Sequence, residues 1–182
     1  MRAARFTLSG AAVADEERPR TLATQLTDAR RVGELNGLRT LMARTFDLPD
    51  GLTRVVERLV ADPRHHGTVS ALLHDAGVGR RTFACQARRA GFVPPLRFLQ
   101  VTRVLAATLV VQHGSTAEAA AEYLGYSSAD TMRRHFLAVY GAPPRAARAL
   151  GAEGVAARIR DRLVGSSGGS CAPPDMQLSL AL

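Results

Sequence analysis

The chain of 182 residues contains no tryptophan, no lysine and only two cysteines, Cys85 and Cys171. The cysteines lie 86 positions apart and form no CxxC pair, which excludes a disulfide framework and a thiolate metal cage. No stretch approaches the about 20 consecutive apolar residues that a membrane helix needs. Residues 1–20 also lack the apolar centre of a secretory signal. These absences predict a cytoplasmic protein in a reducing compartment, without a membrane partner.

The motifs of common enzyme classes are missing as well. The sequence has no HExxH or GxxxxGK[ST] motif, no GxSxG elbow and no GxGxxG between a strand and a helix, and its Ser, His and Asp residues are scattered. His65 and His66 are adjacent in a predicted loop, but the sequence shows no further ligands for them. We interpret them as solvated loop residues, and we predict no enzymatic activity, no cofactor and no bound metal.

Positive charge is abundant and unevenly distributed. All 24 basic residues are arginine, the acidic residues number 16, and the net charge is +8. Residues 76–150 hold ten of the arginines and three acidic residues. Within them, residues 76–117 hold no acidic residue and six arginines: Arg80, Arg81, Arg88, Arg89, Arg97 and Arg103. Clustered positive charge suits a polyanion such as DNA, RNA or an anionic membrane surface. Aromatic residues make up only 5 % of the chain, which disfavours RNA recognition by base stacking.

The hydrophobic pattern predicts an all-α protein. Apolar residues recur at helical spacing, and almost no segment shows the alternation of a strand. Small, charged or Gly/Ser/Pro-rich composition predicts disorder at residues 1–20 and 165–182. Between them we expect a helical segment at 21–50, a main domain at 51–150 and a C-terminal helix at 151–164.

The segment at residues 21–46 carries apolar residues three and four apart, but Gly33 and Gly37 weaken its middle. It therefore predicts one interrupted helix or two short ones, followed by a turn at residues 48–51. Two functions are open for this segment. It either packs against the helix predicted at 52–60 and enlarges the core, or it forms a homodimer.

The main domain contains an internal repeat. A helix, a short turn with glycine and a second helix occur at residues 68–90 and again at 116–140, and a long helix at 95–112 connects them. Thr68, Thr116 and Ser128 are predicted N-caps. On the connecting helix, Phe98, Thr102, Leu105 and Leu109 form one predicted apolar stripe. The repeat predicts two helix-turn-helix subdomains joined by a linker helix, with an extra helical segment before them.

The second unit contains the pattern Ala121-x-x-x-Gly125-Tyr126-x-Ser128-x-x-x-Met132-x-Arg134-x-Phe136-x-x-x-x-Gly141-x-x-Pro144. With this pattern it resembles the DNA-binding domain of the AraC/XylS family of transcription regulators. In the linker helix, five further residues stand at family positions: Pro95, Phe98, Leu99, Arg103 and Ala107. The first unit departs from the pattern, because Gly79, Cys85, Ala87 and Phe92 replace the family's serine, arginine, phenylalanine and glycine. The resemblance covers about residues 52–150.

The resemblance implies a sequence-specific regulator that binds double-stranded DNA by placing the second helix of each unit in successive major-groove segments. RNA polymerase is then a further candidate partner. The family's reading positions fall on Arg80, Arg81, Ala84, Cys85 and Arg88 in the first unit, and on Ala129, Asp130, Arg133 and Arg134 in the second. Ser128 adds a hydroxyl at a helix N-terminus that can also receive a phosphate.

Several of these residues have a second interpretation. Arg81 either reads guanine or contacts a phosphate only. Arg134 either contacts DNA or stabilises the fold through Glu122 or Asp130, and Asp130 can simply complement the helix dipole. We interpret Arg103 as a structural residue. For Cys85, which stands at a DNA-reading position, a role as a redox sensor is only the second interpretation. The alternative for the whole chain is a helical protein-interaction adaptor with a non-specific basic surface.

Overall fold

The computed structural model describes residues 22–64 and 68–166. This part of the chain contains eight helices and no strand, which confirms the all-α prediction. The helices are α1 (Leu22–Phe46), α2 (Asp50–Ala61), α3 (Val69–Asp75), α4 (Arg80–Arg89), α5 (Leu96–Gln112), α6 (Ala117–Tyr123), α7 (Ala129–Val139) and α8 (Pro144–Ser166). Cys171, the His65–His66 pair and the predicted disorder at residues 1–20 lie outside the described residues. The predicted disorder at residues 165–182 starts too early, because α8 continues to Ser166, and its remaining residues lie outside the described part of the chain. None of the described helices is long and apolar enough to cross a membrane.

The repeat appears as two helix-turn-helix units, α3 with α4 and α6 with α7, joined by α5. The three predicted N-caps are present. Thr68 and Thr116 accept hydrogen bonds from the backbone N–H groups of Ala71 and Ala119 at 3.3 and 3.1 Å. Ser128 accepts one from the N–H of Thr131 at 3.1 Å. Each cap satisfies a backbone donor that the first turn of a helix leaves unpaired.

Helix α5 is the centre of the molecule. Eleven of its seventeen residues are buried, because α1, α6, α7 and α8 pack around it. The prediction of one apolar stripe was therefore too narrow, and Leu109 on that stripe is only half-buried. Two buried polar side chains, Thr102 and Thr108, donate to the carbonyl oxygens of Phe98 and Val104 at 2.9 Å each. Such local bonds allow a threonine to lie inside an apolar core.

Helix α1 is continuous, so the predicted interruption was wrong. Gly33 and Gly37 have no neighbour within 4 Å of an added Cβ atom, which means that they lie on an open face and need no break in the helix. On the opposite face Leu35, Leu38 and Met42 are almost completely buried. They pack with α2, α5 and α8, and tertiary burial of this kind outweighs the low helix propensity of glycine.

The turn predicted at residues 48–51 is shorter than expected. Asp50 and Gly51 already belong to α2, whose N-cap position is Pro49. An acidic residue in the first helical turn complements the helix dipole. Gly51 is buried directly against the side chain of Gln86 on α4, where any Cβ atom would collide with the amide. The glycine therefore permits the close packing of α2 on the first helix-turn-helix unit.

Helix α8 consists of two segments that meet at Gly151, which has φ 77° and ψ 164°. The predicted boundary between main domain and C-terminal helix falls at this kink. The side-chain oxygen of Gln112, the last residue of α5, accepts a hydrogen bond from the backbone N–H of Ala152 at 3.1 Å and caps the second segment. Val155, Ala156 and Ile159 of that segment are buried. The C-terminal helix thus shares the core of the two units.

Two glycine substitutions should have opposite effects. Gly151→Ala should lower the free energy of unfolding by about 1–3 kcal/mol, because its backbone conformation is open almost only to glycine. Gly37→Ala should raise it by about 0.5–1 kcal/mol, since the site is an open position inside a helix. Urea unfolding of both variants beside the parent protein tests this. If Gly151→Ala were more stable than the parent protein, Gly151 could not have the strained backbone conformation that forms the kink.

Candidate nucleic-acid interface

Helix α4 has one face in the core and the other in solvent. Phe83 and Ala87, four residues apart, are buried and fix the helix on α2 and α3. On the opposite face Arg81, Cys85 and Arg88 are exposed, at a spacing of four and three residues that aligns them along the helix. Arg81 and Arg88 form no ion pair with any residue that the structure describes. The exposed face of α4 is therefore free to receive an anion.

The N-terminus of α4 adds to this positive character. Gly79 occupies the N-cap position and provides no side-chain hydrogen bond, and the first turn holds no acidic residue. Arg80 and Arg81 stand instead at the first two helical positions. The guanidinium group of Arg80 donates to the hydroxyl of Ser70 on α3, a neutral partner that leaves its charge uncompensated.

Helix α7 has the same arrangement of faces. Met132, Phe136 and Val139 are buried against α5 and α6. The exposed residues on the other face are Asp130, Arg133, Arg134 and Leu137. The N-terminus differs from that of α4, because Ser128 caps it and Asp130 lies in its first turn.

Both arginines of α7 are in ion pairs. Nη2 of Arg133 lies 3.0 Å from Oε1 of Glu118 on α6, and Nε of Arg134 lies 3.2 Å from Oδ2 of Asp130. The partner of Arg134 is thus Asp130 and not Glu122. The four side chains are 47–73 % exposed, and ion pairs in water of this kind contribute little to stability. Both guanidinium groups can therefore exchange their carboxylate for a DNA group.

A cluster behind α7 positions the turn between α6 and α7. Arg103 of α5 donates from Nη2 to the carbonyl oxygen of Leu124 at 2.5 Å, at the end of α6. Its guanidinium carbon lies 4.6 Å from the centre of the Tyr126 ring, a cation–π distance. The hydroxyl of Tyr126 is 3.0 Å from Nδ1 of His135 on α7. The structural interpretation of Arg103 agrees with these contacts.

The comparisons with known proteins give one match. Residues 72–149 match the model of a family described as a helix-turn-helix domain, which is of the AraC type. Residues 72–149 are therefore similar to AraC-type helix-turn-helix domains. No curated protein and no solved structure matches the chain significantly.

The match supports a DNA-binding transcription regulator. The matched residues run from α3 to the first segment of α8, so the match starts later than the predicted residue 52. Helices α1 and α2 and the second segment of α8 pack onto the domain from outside the match. Families of this kind are typically not enzymatic. The described residues contain no cluster of His, Cys, Asp and Glu that could hold a metal ion.

The predicted reading residues fall on the two exposed faces to different degrees. The exposed residues are Arg80, Arg81, Cys85, Arg88, Ser128, Asp130, Arg133 and Arg134, whereas Ala84 and Ala129 are half-buried. The pairing of Glu118 with Arg133 could not be predicted from the sequence, because fifteen positions separate them and no local pattern joins them. Leu137, which is 53 % exposed on α7, was also not predicted as a site residue. The sequence did contain a signal for it, because Leu137 is apolar but does not fall on the helix face that buries Met132 and Phe136.

Burial of the cluster behind α7 changes the titration of two of its groups. Desolvation raises the pKa of Tyr126 to about 12, against the opposing effect of the Arg103 charge. Desolvation, together with the positive charges of Arg103 and Arg97, lowers the pKa of His135 to about 4. His135 is therefore neutral at pH 7 and can share a hydrogen bond with the tyrosine hydroxyl.

The His135 pKa predicts an acid-sensitive domain. The folded state disfavours the protonated imidazole, so the stability that His135 contributes is complete above pH 6.5 and is lost as the pH falls towards 4. We expect a loss of about 2–3 kcal/mol over this range. His135→Gln keeps a polar partner for Tyr126 but cannot titrate. Urea unfolding at pH 4 to 7 should show a shallower pH dependence for the variant, and equal slopes for both proteins would contradict the assignment.

Proposed function

We propose that this regulator binds a specific double-stranded DNA site by inserting α4 and α7 into successive segments of the major groove. The observation that carries the proposal is common to both helices. Each buries its apolar side in the core and turns its arginines to solvent, at Arg81 and Arg88 on α4 and at Arg133 and Arg134 on α7. An exposed helix with such side chains fits the width of the major groove.

Two units on one chain have a consequence for the DNA site. Because α5 joins them within a single core, one molecule can engage two groove segments without dimerising, and its operator need not be palindromic. For residues 21–46 we accordingly favour core packing over a homodimer, since Leu35, Leu38 and Met42 are already buried within one chain. RNA polymerase is kept as a proposed protein partner of the regulator.

Affinity and specificity should come from different contacts. If six arginines each neutralise one phosphate, the plot of log affinity against log salt concentration has a slope of about −5, at roughly −0.9 for each phosphate. Specificity requires contacts with base edges. A bidentate arginine on guanine contributes about 1–3 kcal/mol of discrimination.

The test is selection of bound duplexes from a random pool, with the parent protein, Arg81→Ala and Arg134→Ala. Arg44→Ala is the matched control, because it removes an exposed arginine from α1, outside both units. We expect the parent protein and the control to enrich the same sequence. An altered preference in a variant assigns base reading to that arginine, and a uniform loss across sequences assigns a phosphate contact.

One outcome would overturn the proposal. If the parent protein enriches no sequence and binds all duplexes weakly, with strong salt dependence, the helical adaptor with a non-specific basic surface becomes the better interpretation.

A further inference from the structure

The two helix-turn-helix units differ in charge. Residues 68–90, the first unit, contain four arginines and one acidic residue, whereas residues 116–140, the second unit, contain two arginines and three acidic residues. The first unit therefore has a net charge of +3 and the second of −1. Two halves of one DNA-binding domain that differ so much cannot attract the phosphate backbone equally.

The contacts in the first unit leave the positive charges of α4 uncompensated at the surface. Its only acidic residue, Asp75, lies 3.6 Å from Nη2 of Arg58 and thus faces α2. On α4, Arg81, Arg88 and Arg89 are exposed and have no carboxylate partner in the described part of the chain. A phosphate that approaches this helix meets uncompensated guanidinium groups and no competing anion.

The contacts in the second unit have the opposite effect. A phosphate that approaches Arg133 must displace the Glu118 carboxylate at 3.0 Å, and one that approaches Arg134 must displace the Asp130 carboxylate at 3.2 Å. The displaced carboxylates stay attached to the same surface and repel the phosphate. Contacts between the α7 arginines and phosphates therefore add little to the affinity for a duplex of random sequence. Base-edge hydrogen bonds do not depend on net charge in the same way, so a matching sequence can still be bound.

We infer that the two units divide DNA recognition between them: α4 supplies most of the salt-dependent affinity, and Glu118 and Asp130 make α7 a discriminating helix by suppressing its binding to random DNA. This division rests on the proposed function. It makes the two carboxylates determinants of specificity, although neither needs to contact a base.

The first experiment removes the carboxylates from the full-length chain. Glu118→Gln/Asp130→Asn is compared with the parent protein and with Glu122→Gln, which neutralises an exposed acid of α6 that has no α7 arginine as ion-pair partner. Affinity is measured at several salt concentrations on a random 30-bp duplex and on the duplex selected above. We expect the double variant to bind the random duplex roughly tenfold more tightly, with a salt slope steeper by about 1–2, and the selected duplex less than threefold more tightly. Glu122→Gln should change the ratio of the two affinities less than twofold.

The second experiment compares matched arginine pairs on the two helices. Arg81→Gln/Arg88→Gln should weaken both duplexes alike and make the salt slope shallower by about 1.8, which corresponds to two phosphates. Arg133→Gln/Arg134→Gln should weaken mainly the selected duplex and leave the slope on random DNA nearly unchanged. Circular dichroism checks that each variant keeps its helix content.

The outcomes separate this inference from the proposed function. Equal slope changes for the two arginine pairs, or an unchanged affinity ratio in Glu118→Gln/Asp130→Asn, overturn the division while sequence-specific binding still holds. If the parent protein selects no duplex, the proposed function fails and the discriminating role of α7 fails with it. The slopes on random DNA then still decide whether α4 carries the affinity.

Discussion

Replacing Phe92 by alanine should lower the free energy of unfolding by about 3–5 kcal/mol. The ring is completely buried, and its centre lies 5.2 Å from the ring centres of both Phe46 and Phe98. Phe92 follows the first helix-turn-helix unit, Phe46 is the last residue of α1 and Phe98 lies in the first turn of α5, so the ring joins three elements. Its loss would leave a cavity that these helices cannot close without moving. Urea unfolding followed by circular dichroism measures the effect.

A second substitution tests why the phenylalanine stands at this position. The family that the chain resembles has phenylalanine where Ala87 stands and glycine where Phe92 stands. Both residues are completely buried here, and the N–H of Phe92 donates to the carbonyl oxygen of Ala87 at 2.9 Å. Adding Ala87→Phe to Phe92→Ala should therefore recover at least about 1 kcal/mol of the loss. A further loss in the double variant would show that the two positions do not exchange volume.

Arg103→Met should destabilise the protein by about 3 kcal/mol. The substitution keeps most of the side-chain volume but removes the charged hydrogen bond to Leu124 and the cation–π contact with Tyr126. The bond contributes about 1.5–3 kcal/mol and the cation–π contact about 0.5–2 kcal/mol. Because both contacts hold the turn between α6 and α7, affinity for the selected duplex should fall as well.

Arg145→Met is the matched control for Arg103→Met, since Arg145 is exposed in the first segment of α8. We expect a change of less than about 0.5 kcal/mol for this exposed substitution. Thermal unfolding at a fixed pH distinguishes the two variants. An Arg103→Met protein as stable as the control would mean that Arg103 does not stabilise the second unit.

Removing the positive charge at position 103 also bears on His135. The Arg103 charge is one of the causes that lower the pKa of His135, after desolvation. In Arg103→Met the imidazole pKa should move up towards its ordinary value, while burial and the Arg97 charge still hold it below 6.5. Acid destabilisation should therefore still begin near pH 6.5, but it should be smaller and be complete at a higher pH than in the parent protein. A histidine NMR titration follows the ring directly.

Most of the helix boundaries could be predicted from the sequence. Thr68, Thr116 and Ser128 cap their helices through bonds to residues three positions away, and glycine and proline act on their own backbone. Such signals depend on neighbours along the chain and can be recognised without a fold. For the same reason the spacing of Met132 and Phe136 indicated the buried face of α7 and left Arg133 and Arg134 on the other.

The sequence by itself determined the all-helical class, the two repeated units and the concentration of arginine in residues 76–117. Only the tertiary structure decided that α1 is continuous, that α5 is buried on nearly all sides, and that Glu118 of α6 pairs with Arg133 of α7. Burial and ion pairing depend on which distant segments meet, as Glu118 and Arg133 do across fifteen positions. Local helix propensity does not predict these contacts, because they stabilise the protein only after the helices have packed together.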